Sequence, residues 1–204
     1  MTPDREISMP TSRDEIRDVL IETFTVNDAM NQLLLAHLDP RAWRAKPPTF
    51  KPNEGRTIAA VFTHLHNARL VWMRHNAPHL VCPPALDPRR CTMKQAARAL
   101  KKSSAQCVRM LSEALSTTPD RKIAKFSRGS WTRTWPAGGT MFAYMFAHEA
   151  HHRGQVLMLA QLSGHRFPAK VMGGNLAVGQ TLEGTGIHGP TTVEAFDVNT
   201  VFTE

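Results

Sequence analysis

No run of apolar residues in this 204-residue chain approaches the ~20 needed to cross a bilayer, so no part of it is expected to span a membrane. Cysteine is scarce. Cys82, Cys91 and Cys107 are odd in number and contain no C-x-x-C pair, which argues against a disulfide framework and a cysteine-built zinc site and leaves reduced thiols. The opening stretch, MTPDREISMPTSRDE, has neither the apolar core of a signal peptide nor the bias of a transit peptide. A cytoplasmic location is the expectation. Aromatic residues make up only 7% and are not interleaved with the basic ones. The net charge of +8 and pI near 9.9 therefore do not read as a nucleic-acid surface. Lys94, Arg98, Lys101 and Lys102 share one helix face that reads as solvated, and the excess charge suits an anionic small substrate. There is no internal repeat, no low-complexity tract and no convincing strand alternation.

What the chain does contain is helical periodicity. Ser12 and Glu15 form a capping box that should open a first helix, with Ile16, Val19, Leu20, Val26, Met30, Leu33 and Leu34 as its apolar positions and Asp39-Pro40 as its stop. Residues 41–51 read as a loop with Trp43 tucked in. A second helix is expected over about 55–76, buried along Ile58, Val61, Leu65, Ala68 and Trp72. A long proline-marked connection follows, and a Thr92/Gln95 capping box starts a third helix that runs to about Ser116. Residues 117–139, with Trp131 and Trp135, form a link long enough to cover a pocket or pack as a crossover. Gly138-Gly139-Thr140 launches a fourth helix that Gly164 closes in a left-handed cap. The remainder holds six of the twelve glycines and shows no helical period. The expectation is all-α: a four-helix bundle with long interhelical connections over residues 1–164, and an irregular glycine-rich extension of the same domain over 165–204.

The fourth helix carries the chemistry. His148 and His152 lie about one turn apart, on the stripe of Met141, Met145, Val156 and Leu159. Two neutral imidazoles so placed can grip one metal ion. The second helix offers a third ligand. His64 falls about 60° from the centre of the buried stripe and His66 about 140° away. The wheel prefers His64, and His66 stays the rival. Three histidines leave the coordination sphere open, as in a catalytic site. Ligand type suits a divalent ion, zinc or nickel first, with iron, copper or manganese accommodated.

HEAHHRGQ, residues 148–155, resembles the H-x-x-H-H-x-G-Q signature of the DinB/YfiT-like metalloenzyme superfamily, and VFTHLHNARLVWM, residues 61–73, resembles its histidine-bearing second helix. The likeness covers most of residues 12–168. It implies a DinB/YfiT-type four-helix bundle with a three-histidine metal site whose ligands map onto His64, His148 and His152. In one subgroup the segment after the fourth helix is tryptophan-rich; here VMGGNLAVG, residues 171–179, has none. Relatives include thiol-dependent S-transferases, and members are often dimeric, so a small thiol substrate and a homodimer are implied.

His151 and Glu149 are the candidates for proton transfer. Gln155 is placed to hold a metal-bound water or to pack, and Gly154 is expected to allow a close helix approach. HEAHH is also literally the H-E-x-x-H of zincin peptidases, with Glu149 as base, although the extended metzincin form meets Gln155 and Met158 where it needs glycine and histidine. The functional readings are a metal-dependent thiol S-transferase, a metal-dependent hydrolase including a zincin-like peptidase, and a non-catalytic metal- or ligand-binding module.

Overall fold

The computed structural model describes residues 13–47, 55–116, 122–128 and 134–174. Within them lie helices α1 (Arg13–His37), α2 (Ile58–Asn76), α3 (Met93–Ala114), α4 (Gly139–Leu162) and α5 (Ala169–Gly174), together with strands β1 (Lys125–Phe126) and β2 (Trp135–Pro136). The helix starts have local causes. The Thr57 hydroxyl accepts from Ala60 N at 3.2 Å, and Thr92 and Gln95 form the reciprocal capping box their spacing predicts. Gly138 precedes α4 at φ 99° and Gly164 follows it at φ 76°, both in the region glycine enters without a Cβ clash. Ser12, and with it the cap of the first helix, lies outside the described residues.

Each long helix passes from one apolar cluster, through a polar layer, into a second apolar cluster. One cluster gathers Leu34 and Leu35 of α1, Ile58, Phe62 and Leu65 of α2, Ala96 and Leu100 of α3, and Val156 and Ala160 of α4. The other gathers Phe24 of α1, Trp72 and Met73 of α2, Cys107, Met110 and Leu111 of α3, and Met141 and Met145 of α4. The order in which each helix meets the two clusters gives its direction: α1 and α4 run one way, α2 and α3 the other. In cross-section α1 and α2 face each other diagonally, as do α3 and α4.

This up-down-down-up order requires the connection between the parallel helices α2 and α3 to travel the length of the bundle. Residues 77–92 do so: Ala77 sits at one cluster and Cys91 at the other. The strap is pinned on the way. Asn67 exchanges two 3.0 Å hydrogen bonds with the backbone of Leu86, and the Pro84 carbonyl lies 2.9 Å from His66 Nε2.

Several expectations are corrected. Ile16 and Val19 are 49% and 47% exposed; the buried face of α1 is Phe24, Asn27, Asp28, Asn31, Leu34 and Leu35, half of it polar. Residues 40–44 form a short 3-10 helix capped by Asp39, with Trp43 buried. Two short strands interrupt the long link, pairing antiparallel with Phe126 opposite Trp135. After Gly164 the chain is not aperiodic: α5 forms, and Phe167 and Val171 join the first apolar cluster. Trp131 and residues 175–204 lie outside the described residues.

Candidate metal centre

The α2–α4 side of the polar layer brings together His64, His148 and His152. One ring nitrogen from each lies within 4.8 Å of the others. The ring centroids are 5.3 Å apart for His64 and His148, 4.6 Å for His64 and His152, and 4.5 Å for His148 and His152. The α4 pair shares a side because its members are four residues apart. His64 reaches them because Val61, Phe62 and Leu65 bury the neighbouring turn of α2. His66 goes elsewhere: fully buried, it meets Ser103 Oγ at 3.1 Å and the Pro84 carbonyl at 2.9 Å. It is committed to holding α2 against α3 and the strap.

The donor set fits a metal ion. Among the described residues neither His64 nor His148 has a hydrogen-bond partner, and His148 Nδ1 is buried without one, an arrangement that costs free energy unless something else accepts the lone pair. Burial, then the neighbouring His152 and Arg56, pushes His64 down to about 4. Burial, then His152 and His64, pushes His148 down to about 4. Burial also lowers His152, against a hydrogen bond to Gln155 that raises it. All three rings are therefore neutral at pH 7, the form that ligates. His152 Nδ1 meets Gln155 Oε1 at 2.7 Å, and Gln155 Nε2 lies 3.0 Å from the exposed ring of His151. An amide oxygen only accepts, so Nδ1 carries the proton and Nε2 keeps its lone pair for the cluster.

The same shifts predict a pH dependence. Unfolded imidazoles protonate near 6.5, and those of His64 and His148 near 4 in the folded chain. Between these values the unfolded chain binds more protons, so stability is full above pH 6.5 and falls as pH drops toward 4. Asp28, raised by burial, opposes this just above pH 3.8, because it favours the folded state only while protonated. Thermal midpoints of the metal-free protein, measured from pH 7.5 to 4, should decline below about 6.5, and the decline should shrink in His64→Ala. A flat profile would contradict the assignment.

Glu149 is turned away from the histidines into the bundle interior. Both its carboxylate and the Arg69 guanidinium are 0% exposed. Oε1 accepts from Arg69 Nε at 2.7 Å. Oε2 accepts from Arg69 Nη2 at 2.7 Å, Asn27 at 2.7 Å and Asn31 at 2.8 Å. That fills the roughly four acceptor positions a carboxylate has. Burial works to raise its pKa, but Arg69 overrides it and holds the group ionised. Asp28 Oδ1 lies 2.9 Å from Arg69 Nη2 in ion-pair contact, and Arg153 donates to Asn27 Oδ1. The layer balances two guanidinium groups against two carboxylates. Sequence reading missed it; the usable signal was Arg69 within an apolar helix face, together with Asn27, Asp28 and Asn31 at the spacing of Phe24, Leu34 and Leu35.

Aromatic rings line the other flank. Trp72 packs edge-on to His148 at 5.2 Å and to Tyr144 at 5.8 Å, and Tyr144 is 5.9 Å from His148. Gly154 does not serve a close helix approach: it is exposed, and a Cβ there would meet nothing within 4 Å. No helix among the described residues is long and apolar enough to cross a membrane, and the three cysteines are free thiols, with burial pushing Cys107 up to about 12.

A family model described as the DinB superfamily matches residues 23–156, a span that includes all three clustered histidines. No curated protein and no solved structure matches the chain.

Proposed function

The chain belongs to the DinB superfamily, and from that premise we propose that it is a metal-dependent enzyme that activates a small thiol for transfer to an electrophile, with His64, His148 and His152 as the metal ligands. The observation carrying this reading is the cluster of three neutral imidazoles, two of them without a hydrogen-bond partner among the described residues, on a half-buried flank. Held by these three rings, a divalent ion would supply Lewis acidity toward a small thiol and favour its thiolate form at neutral pH. Zinc and nickel are the first candidates, since imidazole donors suit both.

The chain's own residues supply the rest. Gln155 fixes the His152 tautomer. Trp72, fully buried beside His148, excludes water from that side of the ring. His151, exposed and joined to His152 through Gln155, is placed to pass a proton between bulk water and the site. Glu149 has no acceptor position left for a water proton, which removes the base a zincin-like peptidase needs. We assign it a structural role. Hydrolysis of another kind, with water in place of the thiol, is the second reading that the exposed His151 ring supports.

The test is consumption of low-molecular-weight thiols with monochlorobimane by protein loaded with zinc or nickel. Turnover that stops on metal removal supports the transferase, whereas no turnover across a thiol panel alongside ester cleavage supports the hydrolase. Gln155→Leu should weaken metal binding about 10–100-fold, the usual cost of losing the partner that orients a ligand, and Gln155→Glu, which still accepts, should restore it. Competition against a chromogenic chelator reads both.

A further inference from the structure

Arg56 stands beside the three-histidine cluster with nothing of its own to bind. It directly precedes Thr57, whose hydroxyl caps α2, so its backbone is fixed by the start of that helix. His64 follows about two turns further along α2. Ile58 and Ala59, at this end of α2, share an apolar cluster with Val156, which lies about one turn beyond His152 on α4. The arginine is therefore held next to the stretches of α2 and α4 that carry His64 and His152. Burial chiefly lowers the pKa of both rings, and the Arg56 charge adds to it. Arg56 is exposed, and among the described residues it enters no hydrogen bond, ion pair or ring contact.

The other charges in this part of the fold are already matched. Arg69 faces Glu149 and Asp28, and Arg153 donates to Asn27. Among the described residues Arg56 is the one arginine or lysine whose charge bears on His64. A free guanidinium beside a cluster built to hold a divalent cation is unfavourable on its own, because the two positive charges repel. An anionic ligand reverses the sign, meeting the guanidinium at one end and the open side of the cluster at the other. The planar fork of N–H donors on an arginine matches a carboxylate, and one unpaired cation balances the single charge that a carboxylate carries.

We propose that Arg56 is the specificity determinant of this site, binding the terminal carboxylate of a small substrate whose other end lies at the three-histidine cluster. That the other end is a thiol rests on the function proposed above; the carboxylate contact does not. Cobalt(II), whose visible spectrum reports its coordination, is the probe ion. Titrations of cobalt-loaded protein compare succinate with succinamate and glutarate with glutaramate, pairs that match in length and differ by one charge at the far end. In at least one pair the dicarboxylate should bind about five- to tenfold tighter, the added worth of a charge-assisted contact. Arg56→Gln should bring that ratio down to about two, the statistical advantage of two equivalent ends. Arg56 has no contact to lose among the described residues, so the variant keeps the fold. It also gives a readout without any substrate analogue: cobalt alone should bind at least about twofold more tightly at low salt, the gain shrinking as salt screens the lost repulsion. A third probe, 3-mercaptopropionate, tests the thiol separately through the sulfur-to-cobalt charge-transfer band. No such band, with the dicarboxylate preference intact, sinks the thiol reading and supports the role of Arg56. Acid and half-amide binding within about twofold of each other in the parent, a preference that survives Arg56→Gln, or cobalt affinity untouched by the substitution each overturns the assignment of Arg56, whatever the thiol does. Protein that takes up no cobalt overturns both.

Discussion

Replacing His64 with alanine should abolish metal retention while leaving the bundle folded. His64 is the single member of the cluster on α2, and its ring makes no hydrogen bond among the described residues, so its loss removes a donor without breaking other contacts. The two histidines left on α4 would form an incomplete site. If three imidazoles share the ~10–16 kcal/mol typical of a protein-held zinc ion, the loss of one weakens binding by roughly a thousandfold or more. Elemental analysis of dialysed protein prepared without a histidine tag should give about one metal per chain for the parent and none for the variant, with unchanged helical circular dichroism. His66→Ala is the informative control. It should retain the metal yet unfold at lower temperature, because it removes a fully buried ring that ties α2 to Ser103 and to the Pro84 carbonyl and leaves a cavity in its place. Metal retained by His64→Ala and lost by His66→Ala would reverse the assignment.

The contrast between these two histidines shows what was legible before any coordinates. Four-residue spacing placed His148 and His152 together, and 100° steps favoured His64. Both arguments hold because an α-helix is rigid enough for angular bookkeeping to survive folding. Helix starts with side-chain caps were equally readable, as at Thr92, since a cap is a local hydrogen bond. The polar layer was not. A hydrophobicity wheel assigns asparagine, aspartate and arginine to solvent, so it turned α1 toward Ile16 and Val19 when the buried face holds Asn27, Asp28 and Asn31. Their burial is stabilised only by partners on other helices: Arg69 and Glu149 are 80 residues apart and Asn27 and Glu149 are 122 apart. A pairing over that separation leaves no local signature. The strap between α2 and α3 was visible as a proline-rich connection, but its course along the bundle follows from helix direction, which local periodicity does not encode.

Removing Glu149 should be the most destabilising single change in the described structure. Glu149→Ala leaves Arg69, itself 0% exposed, facing a cavity with only Asp28 left of its two carboxylate partners, and deprives Asn27 and Asn31 of their acceptor. Arg69 cannot shed its proton to escape this, because a guanidinium stays charged in a protein, and the Glu149 charge that chiefly offsets its burial is gone. Breaking a buried pair in this way costs about 3–5 kcal/mol, which for a domain near this size lowers the thermal midpoint by on the order of 10 °C. Arg69→Met should cost a similar amount by stranding Glu149. The double variant Arg69→Met/Glu149→Leu should recover much of the loss, because it removes one guanidinium and one carboxylate together and leaves Asp28 and Arg153 in balance. The consequence reaches the site along the chain. Glu149 follows His148 and Arg153 follows His152, so the buried charges clamp the rotation of α4 about its axis and thereby the direction in which both histidines point. In the double variant the fold should therefore return more fully than the metal affinity. Thermal unfolding and chelator competition on the same samples separate the two: equal recovery of both would show that apolar packing alone orients α4, and that the charged layer contributes nothing to the site.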